Sequence, residues 1–208
     1  MSIYELIYLI VIMLGFLFGI CLVAYKSCIQ SRIQKRYLSK DQRIEYIKQL
    51  EQFKLEHNIY TTDSVIEIAN KAGLSIEQCA RKDMESGYDG RIINNKIIVI
   101  KDLTIRQKNA IIAHEIAHYL RKQEQNLIEG CKTKTMFVRK EEEQICDYIA
   151  AAILLPIEEL KIRMEEADYD HRKESLRVEF INEIADEKNI PISVVLQRLK
   201  DVKENLHF

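Results

Sequence analysis

The run AIIAHEIAHYL, residues 110–120, sets two histidines four positions apart with a glutamate directly after the first. On an α-helix, positions i and i+4 lie about 40° apart around the axis and one turn along it. His114 and His118 therefore face the same way, and their imidazoles can hold one ion. Glu115 is turned from His114 by about 100°. It projects beside such an ion without having to bind it, where a carboxylate can take a proton from an activated water. Two histidines and a glutamate inside an otherwise apolar helix cost free energy unless something satisfies them. The competing explanation is a buried helix whose histidines are merely hydrogen-bonded. What decides between them is whether the chain supplies the rest of a metal centre.

A catalytic zinc takes three protein ligands and leaves a fourth position open. The run RKEEEQICDYIAAAILLP, residues 139–156, offers Glu141, Glu142 and Glu143. Only Glu143 has an acid four positions on, at Asp147. That pattern predicts that Glu143 binds zinc and that Asp147 accepts the remaining N–H of a ligand histidine. Acids in a first helical turn are favoured by the helix dipole, which explains Glu141 and Glu142. It does not explain an acid deep in an apolar stretch. With zinc lowering the pKa of water, Glu115 becomes the expected general base. A further donor should stabilise the oxyanion, and Tyr88, Tyr148 and His171 are the candidates.

The order YDGRIINNKIIVI, AIIAHEIAHYL, EQICDYIAAAILLP and IADEKNIPISVVLQRL resembles the ImmA/IrrE-type metallopeptidases over residues 60–202. The resemblance implies His114, His118 and Glu143 as zinc ligands and Glu115 as the catalytic glutamate. It implies a zincin-like fold, with a small sheet over the active-site helix. It also implies action on regulatory proteins, such as phage-type repressors or stress-response regulators. The chain departs from the family with Asp147, where Asn is frequent, with Ile145, where Glu is common, and with an apolar leading segment.

The elements that must position these residues are legible in outline. Thr104 to Gln107 fits a capping box ahead of the HExxH helix. Ile111, Ile112, Ala113, Ile116, Ala117 and Leu120 leave that helix apolar on most sides, as a buried helix should be. The second helix spans roughly Arg139 to Leu155 and stops at Pro156. Upstream, LSIEQCA predicts a short strand, and GRIINNKIIVIK predicts a hairpin about Asn94-Asn95. Ser64 to Glu67 fits another capping box, with Gly73 where that helix should stop. Further helices are expected near 157–167, 172–188 and 194–204. The last two could form a helix-turn-helix, but Arg198, Lys200 and Lys203 stand beside Asp201 and Glu204, a poor phosphate-binding face. Packing or substrate recognition is the expectation there.

Leu6 to Tyr25 is a run of twenty uncharged residues. At 1.5 Å per residue this is about 30 Å, a hydrocarbon core. With no basic start and no small-residue cleavage site, it is expected to be a retained membrane helix in contact with lipid. Lys26, Arg32, Lys35, Arg36 and Lys40 follow it and predict a cytoplasmic carboxyl-terminal side, with the amino terminus outside. Gly15 and Gly19 could let two spans approach as a weak homodimer. The expected division is a membrane helix at 1–26, a helical juxtamembrane stalk at 27–57 and the metallopeptidase domain at 58–208.

Composition narrows the rest. The 31 basic and 32 acidic residues leave a net charge of −1, which gives no footprint for nucleic acid. Five cysteines, an odd number without a CxxC, fit a reducing compartment. The expectation is an α+β, mainly helical zincin-like metallopeptidase with a small β-sheet behind one transmembrane helix. Its function would be zinc-dependent cleavage of a cytoplasmic regulatory protein. The alternative is a non-catalytic, membrane-tethered module that keeps the fold.

Overall fold

The computed structural model describes residues 38–125, 136–169 and 174–204. The chain divides into two compact units, Met1–Leu38 and Ser39–Phe208, and the description that follows is of the second. The expected membrane span at 6–25, with Gly15 and Gly19, lies outside the described residues. Among the described residues no helix is long and apolar enough to cross a membrane.

In chain order the elements are α1 (Lys40–Glu56), α2 (Val65–Lys71), β1 (Ser75–Cys79), a 3-10 turn (Arg81–Asp83), β2 (Gly90–Ile93), β3 (Lys96–Ile100), α3 (Ile105–Gln125), α4 (Met136–Leu154), α5 (Ile157–Glu166), α6 (Glu174–Glu187) and α7 (Ile192–Lys203). The fold is therefore α+β and mainly helical.

Helix α1 corrects the expected stalk and moves the domain boundary back to Ser39. The helix opens with a capping box: Ser39 Oγ accepts from the Gln42 N–H, and the Gln42 side chain accepts from the Ser39 N–H. Ile47, Leu50 and Phe53 are buried, as are Arg43 and Lys54. Burying Leu50 and Phe53 contributes about 1.5–3 kcal/mol each. The charge-rich composition suggested a solvated connector. Arg43 instead sends its guanidinium to Asp201 at 2.8 Å and to Glu204, both at the far end of the chain. Asp201 also accepts from Arg198 at 2.6 Å, and Arg198 Nε donates to the Leu155 carbonyl at 3.0 Å. So α1, α7 and the end of α4 share one buried charge cluster.

The sheet has the order β1-β3-β2, with β1 parallel and β2 antiparallel to the central β3. Asn94 and Asn95 sit at φ 49° and 60°, the left-handed pair that a two-residue type I′ hairpin needs. Strand β2 is an edge. Its Ile92 lies opposite Ile97, one register step from the turn pair Ile93–Lys96, so the Ile92 backbone groups face away from β3. Gly90 lets this strand touch α3, because a Cβ there would stand 2.2 Å from Ile111 Cγ2.

Helix α3 starts as expected. Gln107 N–H donates to Thr104 Oγ1, and the Gln107 side chain accepts from the Thr104 N–H. Ile112, Ala113, Ile116, Ala117 and Leu120 are buried between the sheet and α4. On α4, Cys146, Ile149 and Ala150 to Ala152 are buried, and the cysteine and alanines are small enough for two helices to lie close. Pro156 then starts α5. Leu155, Leu160, Phe180, Ile181, Ile184, Ile190 and Val195 close a second core beneath α5 to α7.

Candidate metal centre

Helices α3 and α4 bring His114, His118, Glu143 and Asp147 together. Glu143 Oε2 lies 3.1 Å from His114 Nε2, and its Oε1 lies 3.6 Å from His118 Nε2. The two imidazole rings stand 4.7 Å apart, edge to face. One donor atom each from His114, His118 and Glu143 falls within a 4.8 Å group, so these three residues could hold a metal ion.

The far nitrogens are held differently. His114 Nδ1 meets Asp147 Oδ1 at 2.9 Å. His118 Nδ1 meets Cys146 Sγ at 3.2 Å. Asp147 was singled out from the sequence for this place. Cys146 was not, because a cysteine in an apolar run looks like core. The signal that could have found it is its spacing: it follows Glu143 by three positions, on the same face of the helix one turn on.

Glu115 lies beside the pair and is 8 % exposed. Burial pushes its carboxyl up, His114 pulls it down, Glu143 pushes it up again, and the N–H of Ile92 pulls it down; the net direction is up. Burial lowers the pKa of His114, but the hydrogen bond to Asp147 and the carboxylates of Asp147, Glu115 and Glu143 outweigh it, and the net direction is up. For His118, burial and the neighbouring His114 prevail over Glu143 and Glu142, and the net direction is down.

These groups open into a cleft of about 520 Å³. Strand β2 forms one wall through Gly90, Arg91 and Ile92, and Lys122 stands at the α3 side. Nothing in the sequence marks Arg91 and Lys122, since lone bases carry no pattern. Of the three candidate oxyanion donors, Tyr88 lines the cleft and is half exposed. Tyr148 does not line it. Its ring packs in the core with the Arg198 guanidinium 5.9 Å from its centre, and burial raises the phenol to about 12. His171 lies outside the described residues.

A peptidase-family model, described as the IrrE N-terminal-like domain, matches residues 69–200. The chain belongs to that family. Among solved structures, a Mycobacterium tuberculosis transcriptional regulator is similar at a TM-score of 0.50 and 18 % identity, over 74 % of this chain and 46 % of that one. This chain thus spans less than half the length of that relative, and the likeness shows a shared fold. No curated protein matches the chain.

Proposed function

We propose that the protein is a zinc-dependent endopeptidase, with His114, His118 and Glu143 as the zinc ligands, Asp147 orienting His114 and Glu115 as the catalytic base. The observation that carries this reading is the convergence of two imidazole Nε2 atoms on one carboxylate at the floor of an open cleft. Ligands on a tetrahedron of radius about 2.1 Å lie about 3.4 Å apart. The separations of 3.1 and 3.6 Å between each Nε2 and its nearer Glu143 oxygen bracket that value. Contacts at both Nδ1 atoms leave both Nε2 atoms for the metal.

Zinc bound there would supply Lewis acidity to a scissile carbonyl and to the attacking water. Glu115 takes the proton of that water as the C–O bond forms, and gives it to the leaving amine as the C–N bond breaks. Its near-complete burial keeps it beside the reacting atoms and away from bulk water. Tyr88 is the candidate hydrogen-bond donor to the oxyanion. The Ile92 N–H is turned to Glu115, and the outward Ile92 carbonyl, on the edge strand, suits an extended peptide chain.

The proposed substrate is a cytoplasmic regulatory protein. The run at residues 6–25 would fix the enzyme to the membrane, with the amino terminus outside. The alternative is a non-catalytic membrane-tethered interaction module. It is supported by the description of the structural relative as a transcriptional regulator.

The test uses the full-length chain, purified with zinc present, beside its His114→Ala and Glu115→Gln variants. The unaltered chain and Glu115→Gln should carry about one zinc each, as a three-ligand site does, and His114→Ala should carry none. Only the unaltered chain should cleave a regulatory protein that it degrades in cells. A zinc-free unaltered chain, or full cleavage by Glu115→Gln, overturns the reading. Zinc without cleavage in any form favours the interaction module.

A further inference from the structure

Glu143 has little packing to hold it in place. Its side chain is 57 % exposed, yet both its oxygens lie against imidazole nitrogens. The residue before it is the opposite case, for the Glu142 side chain is only 16 % exposed. Arg121 Nε donates to Glu142 Oε1 at 3.2 Å, and Arg121 Nη2 reaches Oε2 at 3.5 Å. A guanidinium fork on two carboxylate oxygens fixes orientation as well as distance. Arg121 follows His118 by three positions on α3, so this pair stands one turn from the site. The guanidinium also sits 5.2 Å from the centre of the Tyr46 ring, on α1. A second aromatic contact, Phe53 against Tyr119 with ring centroids 6.5 Å apart, holds α1 to the same stretch of α3.

The geometry of a helix makes such a fixture necessary. A roll of α4 about its axis by a third of the 100° step between residues would move a side-chain tip by about 3 Å. That is enough to carry the Glu143 carboxylate out of reach of His118. Asp147 restrains the roll from one side through His114. Glu142 restrains it next to the ligand itself, through a two-point contact.

We propose that Arg121 and Glu142 are the positioning pair of the candidate metal ligand Glu143, with Tyr46 of the N-terminal helix as the backstop of the guanidinium. The pair touches neither substrate nor metal and acts through Glu143. This rests on the metal-site reading above. It also makes α1 a part of the site's support, so that a fragment beginning after this helix would lose metal affinity along with Tyr46.

The experiment measures zinc affinity of the full-length chain by competition with a chromophoric chelator, for the unaltered protein and for Arg121→Lys, Glu142→Gln and their double variant. Arg121→Lys keeps the charge and loses the fork. Each single change should weaken zinc binding about ten- to hundredfold, as changes to groups that support metal ligands do. The double variant should be no weaker than the weaker single, because both remove the same contact. Far-UV dichroism of the zinc-free proteins checks that the helices remain. Cobalt in place of zinc reports the ligand set, and its visible bands should change in Arg121→Lys. If both folded single variants bind zinc as tightly as the unaltered chain, with unchanged cobalt bands, while His114→Ala does not bind, the pair is not a positioning device and the metal site stands. Additive losses in the double variant also overturn the pairing. If the unaltered chain takes up no zinc, the site and the pair fall together.

Discussion

Two clusters of charge among the described helices are finished differently. In the cluster shared by α1, α4 and α7, Asp201 has no exposed surface and takes hydrogen bonds from Arg43 and Arg198. Arg198 is itself 1 % exposed and spends its Nε on a backbone carbonyl. The charges there answer one another inside the protein. Between α3 and α4, Glu115, Glu143 and two imidazoles turn toward a cleft instead. Buried charges are tolerated when they are paired and hydrogen-bonded. Charges gathered at a cavity with donor atoms converging on one point are poised for a ligand. The closed cluster is thus expected to govern stability alone, and the open one metal binding and chemistry.

The largest effect that would sharpen this contrast is on turnover. Glu115→Gln should lower the rate of substrate cleavage about a hundred- to ten-thousandfold, the range for loss of a general base, while zinc content stays unchanged. Initial rates and metal analysis on the same sample check both halves. Next is Asp201→Ala, which takes the carboxylate from buried Arg198 and leaves Arg43 only the more exposed Glu204. It should cost about 3–5 kcal/mol in urea unfolding of a fragment of residues 39–208, with zinc stoichiometry retained in whatever remains folded. A loss of zinc from folded protein, with stability untouched, would break the division of labour between the clusters. Asp147→Ala should weaken zinc about ten- to hundredfold by chelator competition, because His114 loses the acceptor of its Nδ1 proton. The smallest effect is expected at Cys146→Ala. A sulfur is a weak hydrogen-bond acceptor, so zinc affinity should fall by about threefold or less. Equal losses at positions 146 and 147 would mean that the two imidazoles are held alike after all.

How far the sequence revealed these features depended on the range of the interaction. His114, His118 and Glu115 follow from helical spacing. The pairing of Glu143 with Asp147 follows from spacing on a second helix, so all five groups are legible from local periodicity. The hairpin was equally local, since Asn94-Asn95 can adopt two left-handed residues in succession. Helix α1 departs from its sequence expectation for the opposite reason. Arg43 finds Asp201 at a sequence separation of 158, and no local pattern announces a partner that distant. The apolar stripe at Ile47 and Leu50 was visible, but its charged neighbours suggested a solvated rod. Tyr88 and Tyr148 could not be told apart for a related reason. Both are tyrosines near a motif, and only packing against Arg198 takes Tyr148 out of the cleft.

Gly90 has a consequence for anyone who screens this protein by random mutagenesis. It binds nothing, yet any side chain at that position would collide with Ile111 and prise the edge strand from the helix that carries both histidines. The wall of the cleft would move with it. Even Gly90→Ala should therefore appear among the inactive clones, next to changes at the metal ligands. A library scored on activity alone would mark it as a chemical residue. A parallel score for folded protein would reveal it as a clearance, a place where the machinery depends on an atom being absent.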